Sequence, residues 1–197
     1  MTIYGASGHA KVVKDIIIDN CLEIFQVVDD KKERTTFDGH VVLSSAKINA
    51  SDTVIIAIGA NSVRQEISKK IDASFSAPLV HSTATVSVSA TMEKGTVVMP
   101  LAAINAASQI GKHCIINSSS IIEHDCIIGD YAHISPGAIL TGGVTIGEGT
   151  HVGAGAVILP NIRIGKWVTI GAGAVILKNI PDYSIVVGNP GRIIKRE

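Results

Sequence analysis

A repeat of six residues runs without a break from Val80 to Ile176 and constrains the fold more than any other feature. Every sixth residue in this range is apolar, and most residues four positions further on are small. A fixed period of six is the signature of a parallel β-helix, in which three hexapeptides form one triangular coil. The apolar side chains then point into the prism, and successive coils pair as parallel strands about 4.8 Å apart. We therefore predict a β-helix over residues 79–181, followed by a C-terminal tail, 182–197.

The composition fits such a prism and excludes several classes of partner. Hydrophobic residues make up 46% of the chain and aromatic residues only 4%, as expected of an interior filled by Ile and Val. The 17 basic residues balance the 17 acidic ones, so nothing indicates a nucleic-acid or membrane partner. The N-terminus does not resemble a signal peptide, and no run is long enough to span a membrane. Cys114 and Cys126 occupy the small interior position, which is typical of packed thiols in a reducing cytoplasm.

Residues 1–78 do not keep the period and predict a small α/β domain of the Rossmann type. Strand, glycine loop, helix, strand and acidic residue follow one another in the order of such a unit. Asn61 is placed to cap the second helix. The predicted strands are Thr2–Tyr4, Ile24–Val28 and Thr53–Ile58, and the predicted helices are Lys11–Asn20 and Asn61 to Ile71.

Three strand ends in this domain carry groups suited to a nucleotide. They are the loop from Gly5 to His9, the pair Asp29-Asp30, and the segment from Gly59 to Asn61. In an open parallel sheet these ends line the binding crevice, and a helix N-terminus favours negative charge. Gly5 and Gly8 do not complete the dinucleotide fingerprint, so a tight structural turn remains an alternative explanation of the glycines.

One hexad of the repeat, from Ile122 to Ile127, concentrates ionisable groups. Its His124 lies between Ala106 and Gly142 in an eighteen-residue column, so Gly142 leaves space beside the imidazole. A neutral histidine is a natural general base near pH 7, and a neighbouring carboxylate can fix its tautomer. Asp125 and Glu123 both flank it, and the spacing does not choose between them. A solvated histidine on a prism corner is the alternative.

Other columns of the repeat carry weaker signals. Ser118, Pro136, Ala154 and Ala172 form a smooth groove of small residues parallel to the prism axis. His133 is predicted to stack under His151, but two ligands without a nearby third do not favour a zinc site, and we predict no metal. His81 and His113 occupy outer positions where we expect solvated side chains. Trp167 shares an outer column with Tyr131, a place for a subunit contact.

With these residues laid out, the chain resembles the hexapeptide-repeat acyltransferases. It is similar in particular to the sialic-acid O-acetyltransferase type, which includes bacterial UDP-4-amino-sugar N-acetyltransferases of the bacillosamine pathway. The combination of the N-terminal motif with the motif around His124 is more specific than the hexads, which many transferases share. The motifs that carry the resemblance are Tyr4–His9, Val28–Asp30, Ala57–Gly59, Ser120–Cys126, His133 and Val187–Arg192.

The resemblance implies a left-handed β-helix and a homotrimer with acetyl-CoA between adjacent prisms. It implies that His124 acts as the base and Asp125 as its orienter, although the family often has Glu at that position. The acetyl-CoA contacts that it implies are His133, Gly142, Ala154 and Ala172. The nucleotide-sugar contacts that it implies are Ser7, Gly8, His9, Asp29, Asp30 and Gly59.

The predicted function is acetyl-CoA-dependent N-acetylation of the 4-amino group of a nucleotide sugar, of the UDP-4-amino-4,6-dideoxy-N-acetylglucosamine type. A GDP-perosamine N-acetyltransferase and a sialic-acid O-acetyltransferase are alternatives with the same chemistry. A γ-type carbonic anhydrase needs three histidines around a metal, and the spacing of His124 and His133 does not match its closely spaced pair. A non-catalytic sugar-nucleotide-binding protein is the last alternative, against which His124 beside Gly142 argues.

Overall fold

The structure is a computed structural model that describes residues 1–31, 33 and 35–196. The chain forms an α/β domain that leads directly into a three-sided prism. Two α-helices, α1 (Gly8–Asp19) and α2 (Asn61–Lys70), and a 3₁₀ helix (Ser45–Lys47) belong to the first part. Its strands are β1 (Thr2–Tyr4), β2 (Gln26–Val28), β3 (Thr36–Phe37), β4 (His40–Leu43), β5 (Thr53–Ile56) and β6 (Ser74–Phe75).

The α/β domain is built on a six-stranded sheet in the order β3-β4-β2-β1-β5-β6. All neighbours are parallel except the β3–β4 hairpin. Helix α1 packs its buried residues Val13, Ile16 and Ile17 on one face of the sheet, while Ile67 of α2 packs with Tyr4 and Ile56 on the other. The carboxyl ends of β1, β2 and β5 therefore meet at one edge, as predicted for a Rossmann-type unit.

The predicted helix starts need two corrections. Helix α1 begins at Gly8 rather than at Lys11, because extended Ser7 is its N-cap and the last two residues of the glycine loop, Gly8 and His9, are already helical. The predicted cap by Asn61 is wrong, since Ala60 is the N-cap of α2. The Asn61 amide instead donates to the carbonyls of Gly149 (3.0 Å) and Thr150 (3.3 Å) in the prism, so tertiary contact takes the place of local capping.

The prism consists of two-residue strands joined by turns, one strand for each hexapeptide. Each strand pairs in parallel with the strand eighteen residues away, as Ile115 does with His133 and His133 with His151, which confirms the coil length. The strands are β7 (Leu79–Val80), β8 (Thr85–Val86), β9 (Thr91–Met92), β10 (Val97–Val98), β11 (Ala103–Ile104), β12 (Gln109–Ile110), β13 (Ile115–Ile116), β14 (Ile121–Ile122), β15 (Ile127–Ile128), β16 (His133–Ile134), β17 (Ile139–Leu140), β18 (Thr145–Ile146), β19 (His151–Val152), β20 (Val157–Ile158), β21 (Arg163–Ile164), β22 (Thr169–Ile170) and β23 (Val175–Ile176).

Three flat sheets form the faces of the prism. The first face contains β7, β10, β13, β16, β19 and β22; the second contains β8, β11, β14, β17, β20 and β23; the third contains β9, β12, β15, β18 and β21. The second residue of each strand points inward, and these Ile, Val and Leu side chains form one continuous core. Cys114 and Cys126 are buried in this core as free thiols, as predicted.

The α/β domain docks on the first face of the prism. Val97, Met99 and Ile115 of this face belong to the same apolar cluster as Ile3 and Ile17. Within the described part of the chain, no domain packs on the second or third face in this way. The C-terminal residues extend the first face, because β24 (Ser184–Val187) pairs with β22, and the exposed β25 (Arg192–Arg196) folds back antiparallel to β24. Among the described helices, none combines the length and apolarity needed to cross a membrane.

Candidate active site

His124 and Asp125 form a hydrogen-bonded pair on the corner between the second and third faces. The His124 Nδ1 atom lies 2.7 Å from Asp125 Oδ2, and both side chains are more than half exposed. Asp125 adopts a left-handed φ of 60°, which is how the turn directs its carboxylate toward the preceding ring. The carboxylate accepts a hydrogen bond from the Nδ1–H group, so the neutral tautomer of the ring presents a free Nε2 acceptor. Of the two carboxylates that flank His124, the structure places Asp125 against it.

Gly142 provides the space that the column count predicts beside His124. A Cβ atom at Gly142 would lie 2.6 Å from His124 Cε1 and 2.7 Å from Nε2, closer than any real contact. The imidazole therefore occupies the space that a side chain at Gly142 of the next coil would fill. The neighbouring Gly143 N–H donates to the His124 carbonyl over 2.9 Å, which ties the two coils together at this corner.

A second pair of imidazoles, His133 and His151, stacks on the first face. Their ring centroids are 4.9 Å apart with planes 16° from parallel, as the predicted stacking requires. His133 Nε2 lies 3.0 Å from the Asn117 amide nitrogen, and His151 Nε2 lies 2.8 Å from Ser135 Oγ. Because the Asn117 amide is a donor, His133 Nε2 is the acceptor and its proton is on Nδ1.

His133 is held neutral. Burial is the main cause that lowers its pKa to about 3, and the neighbouring His151 and the charge of Arg64 add to this. The Gly59 backbone has the smallest effect and raises the pKa of His133, while Nδ1 itself is buried without a hydrogen-bond partner among the described residues. A neutral ring with an N–H on Nδ1 is a hydrogen-bond donor at physiological pH.

The seam between the two parts of the chain contains a cleft of about 440 Å³ beside this stack, here called the seam cleft. The α/β domain contributes Gly59, Ala60, Asn61 and Ser62 to its wall. The prism contributes His133, Gly149, His151, Trp167 and Thr169. The start of α2 therefore faces the stacked imidazoles across one cleft.

His9 lies in the same seam. Its Nε2 is buried without a hydrogen-bond partner among the described residues, and burial together with the charge of Arg64 lowers its pKa to about 4. His9 also contributes to the low pKa of His133, so the two rings are neighbours. The structure thus brings His9, Gly59 and His133 together, although they are far apart in sequence.

A separate cleft of about 440 Å³, here called the α/β cleft, lies at the carboxyl edge of the sheet. It is lined by Ser7, Asp29 and Asp30, and it shares Ala60 with the seam cleft. Asp29 Oδ2 accepts from the Ala6 N–H over 2.9 Å, which pins the glycine loop. The rest of its lining is formed by Lys31, Ile58, Val63, Glu66, Ile67 and Lys70.

Asp30 is also engaged in the fold rather than free. It accepts from the Tyr4 hydroxyl over 2.7 Å and from the Ser45 backbone and hydroxyl at 3.0 and 2.8 Å. The Tyr4 hydrogen bond is the main cause that lowers the pKa of Asp30. Burial, followed by this hydrogen bond, raises the pKa of Tyr4 to about 12. Asp30 is therefore a charged acceptor at the cleft wall that Ser45 and Tyr4 orient.

The predicted site residues lie at two corners of the prism, at the seam and in the α/β cleft of one chain. His124, Asp125 and Gly142 lie on the corner between the second and third faces, away from the docked α/β domain. Ala154 and Ala172 lie exposed on the corner between the first and second faces, where Gly173 N–H bonds Ala154 O over 2.8 Å. A single chain does not bring these corners together.

The expectation that His113 is solvated is wrong. Its side chain is 3% exposed because the α/β domain covers this corner. The ring stacks on Tyr131 with centroids 5.3 Å apart and meets the edge of Phe75 at 4.4 Å. Burial and Arg64 lower its pKa to about 4. We refer to His9, His113 and His133 as the seam histidines.

Sequence reasoning missed several residues that shape the site, above all Asn117 and Arg64. Asn117 orients His133, and Arg64 is buried at the domain seam. Arg64 is a basic residue in an amphipathic helix, and nothing in the local sequence indicates that it is buried. Within the described residues, no group of three or more His, Cys, Asp or Glu side chains is arranged to hold a metal ion.

Two family models match the chain, and together they cover both of its parts. Residues 1–71 match the PglD N-terminal domain. Residues 107–142 and 143–178 match the bacterial transferase hexapeptide model of six repeats.

Several solved structures have the same fold as this chain along nearly its whole length. PerB from Caulobacter crescentus, in complex with CoA and GDP-perosamine, is 32% identical with a TM-score of 0.91 over 98% of this chain and 96% of that chain. The acetyltransferase domain of PglB from Neisseria gonorrhoeae, in complex with acetyl coenzyme A, is 33% identical with a TM-score of 0.88 over 98% of both chains. WeeI from Acinetobacter baumannii is 30% identical with a TM-score of 0.89 over 98% of both.

The chain belongs to the hexapeptide-repeat transferases that carry a PglD-type N-terminal domain. Among curated proteins, this hexapeptide-repeat transferase is 34% identical over 114 residues to the uncharacterized protein L142 of Acanthamoeba polyphaga mimivirus. The match covers 56% of the transferase chain and 23% of the viral protein, so the chain spans less than a quarter of that relative's length.

Proposed function

We propose that the protein transfers the acetyl group of acetyl-CoA to the 4-amino group of a nucleotide-linked amino sugar. The observation that carries the proposal is the His124–Asp125 pair, which leaves a free imidazole nitrogen over Gly142. The solved relatives support the substrates, since PerB holds CoA and GDP-perosamine and the PglB domain holds acetyl coenzyme A. UDP-4-amino-4,6-dideoxy-N-acetylglucosamine and GDP-perosamine both fit this chemistry.

His124 serves as the general base in this mechanism. The amine nitrogen attacks the thioester carbonyl carbon, and Nε2 accepts the proton that the nitrogen loses. The new C–N bond forms as the carbonyl becomes a tetrahedral oxyanion. This intermediate collapses as the C–S bond breaks, and the leaving CoA thiolate takes a proton from the imidazolium. Asp125 stabilises that imidazolium through Nδ1. Direct transfer needs no covalent acyl-enzyme, because bringing the two substrates together supplies much of the acceleration.

The transient oxyanion needs a hydrogen-bond donor near His124. The Gly143 N–H is already bonded to the His124 carbonyl. The adjacent Gly142 N–H has no backbone acceptor among the described residues, and it belongs to the residue that lies beside the ring. We assign it as the oxyanion donor, a type of group whose removal costs enzymes about 10²- to 10³-fold in rate.

A second copy of the chain supplies the rest of the site. The outward residues of the second face form an apolar, half-buried stripe between the two site corners: Ala103, Ile121, Ile139, Val157 and Val175. Three prisms with this stripe toward a common axis form a closed trimer, which is a common symmetry of such assemblies. Each His124 corner then meets the next copy's corner of Ala154 and Ala172, with that copy's α/β domain nearby.

The remaining predicted residues fit the two substrates in this arrangement. The small column of Ala154 and Ala172 gives the pantetheine arm a smooth path. Neutral His133 lies on the first face, beside its corner with the second face, and is a donor for the acetyl thioester. The loop at Ser7 and Gly8 and the carboxylates of the α/β cleft hold the nucleotide sugar. We place the reaction in the cytoplasm, which the reduced thiols Cys114 and Cys126 support.

Thiol release from acetyl-CoA tests the proposal against UDP-4-amino-4,6-dideoxy-N-acetylglucosamine, GDP-perosamine and a free sialic acid. Rapid release with one nucleotide amino sugar, and a kcat that falls about 10²- to 10⁴-fold in His124→Ala, are expected of a general base. Release with sialic acid alone means O-acetylation instead. A loss under threefold in His124→Ala contradicts the role of that residue.

A further inference from the structure

Arg64 is a buried cation at the seam that meets no carboxylate among the described residues. It is the fourth residue of α2 and 1% exposed. Burial lowers its pKa to about 10, so the guanidinium remains charged at neutral pH. A buried charge without a counter-ion is costly unless hydrogen bonds satisfy it completely, so its contacts indicate why it is there.

All five donors of the guanidinium have an acceptor, and the acceptors come from both parts of the chain. Nε donates to the carbonyl of His113 over 2.7 Å, and one Nη2 bond reaches the carbonyl of Tyr131 over 2.8 Å. Nη1 donates to the carbonyls of Ile58 and Gly59 at 2.9 and 3.2 Å. The last bond, from Nη2 to Asn61 Oδ1, is 2.9 Å long.

Asn61 continues this network to a third coil. Its amide nitrogen donates to the carbonyl of Gly149 over 3.0 Å. His113, Tyr131 and Gly149 are eighteen residues apart and occupy the same turn position, each with a left-handed φ between 52° and 67°. Arg64 and Asn61 therefore bond the backbone of three successive coils at one corner. A shift of the α/β domain along the prism breaks several of these bonds together.

The same contacts set the width of the seam cleft. Gly59 and Asn61 belong to the cleft wall contributed by the α/β domain, and both bond Arg64. On the opposite wall, His133 lies two residues after Tyr131, whose carbonyl accepts a hydrogen bond from Arg64. His151 likewise lies two residues after Gly149, whose carbonyl accepts from Asn61. The guanidinium thus connects the backbones that carry the two walls.

We propose that Arg64 is a positioning residue that fixes the axial register of the α/β domain on the prism, and with it the spacing between Gly59 and His133. The proposal rests on the proposed function, because that register sets where a nucleotide sugar lies relative to the acetyl donor. Arg64 is 1% exposed and acts through the backbones and the Asn61 side chain that it bonds. Lysine does not replace it, because one ammonium has three donors on a flexible stem and five acceptors require partners.

Arg64→Lys tests this in the full-length protein, since it keeps the charge where Arg64→Met is at risk of misfolding. Gln65→Ala is the matched control: Gln65 is the next residue of α2 and also crosses the seam, bonding Glu148 over 2.6 Å, but it lines neither cleft. In Arg64→Lys we expect KM for the nucleotide amino sugar to rise about tenfold, as loss of one or two hydrogen bonds predicts. KM for acetyl-CoA stays within twofold, and both constants stay within twofold in Gln65→Ala.

Hydrogen exchange separates this proposal from the proposed function. In Arg64→Lys the amides of residues 64–67, where the hydrogen bonds of α2 begin, exchange faster than in the wild type, whereas those of the strand Ile127–Ile128 on the third face do not. Unchanged exchange at 64–67 overturns the register role whether or not any sugar is acetylated. An equal rise in KM for both variants also overturns it, because any loss of seam contact then has the same effect. A wild type that acetylates no nucleotide amino sugar refutes only the proposed function.

Discussion

Replacing Gly142 by alanine isolates the placement of His124 from its chemistry. The added Cβ lies 2.6 Å from His124 Cε1, whereas ordinary contact begins at 3.4 Å, so the ring must move by about 0.8 Å or rotate away from Asp125. The obstacle is the exposed end of a side chain and not backbone, so the fold has room to adjust. A displacement near 1 Å from reacting geometry costs about 10²-fold in rate.

Steady-state kinetics and thermal unfolding of Gly142→Ala measure the two consequences separately. We expect kcat to fall about 10²-fold while Tm changes by no more than a few degrees, because a surface change of this size shifts stability by about 0.5 kcal/mol or less. Ala106→Ser is the control, since it adds one atom in the same column one coil earlier. A kcat within twofold of the wild type in Gly142→Ala refutes the reasoning that His124 needs this space.

Two further predictions concern stability. The seam histidines have pKa values of about 3 or about 4 in the folded protein, below the ordinary 6.5, so the unfolded chain binds more protons once the pH drops below about 6.5. The free energy of unfolding therefore decreases as the pH falls from about 6.5 toward 4, and chemical denaturation at pH 7 and pH 5 measures the loss; equal stability at both contradicts the burial of neutral rings. Ile134→Ala removes a fully buried core side chain and should cost about 2–5 kcal/mol. Ile127→Ala, at a strand residue that is 48% exposed, should cost less than about 1 kcal/mol, so similar losses in both are incompatible with the inward and outward alternation.

The prism was predictable from sequence because its period fixes every position. One inward residue per hexad sets the coil length, so the stacking of His133 on His151 and the space at Gly142 followed from counting by eighteen. The α/β domain was predictable only in outline, since short strands such as β3 and β6 have two residues each and carry no period.

Contacts between the two parts of the chain could not be predicted in the same way. His113 lies at an outer position of its coil, and only the docked domain buries it. Asn61 has the side chain of a good helix cap, but a carbonyl of the prism attracts its amide. Arg64 has the sequence pattern of a surface residue, and its burial depends on turn carbonyls from coils far along the chain. Each of these outcomes is decided by a partner that local sequence does not contain.

The position of His124 on the corner opposite the docked α/β domain determines whether two inactive variants can restore activity in a mixed assembly. In the proposed trimer, each site takes its base from one copy and its sugar-nucleotide wall from the next. Two variants that are each inactive, one without the base and one with a broken wall, therefore complement each other when their subunits mix. Random pairing leaves roughly one quarter of the sites intact. Dilution below the dissociation constant, in contrast, silences even an undamaged chain, because one copy carries both halves of the site facing apart.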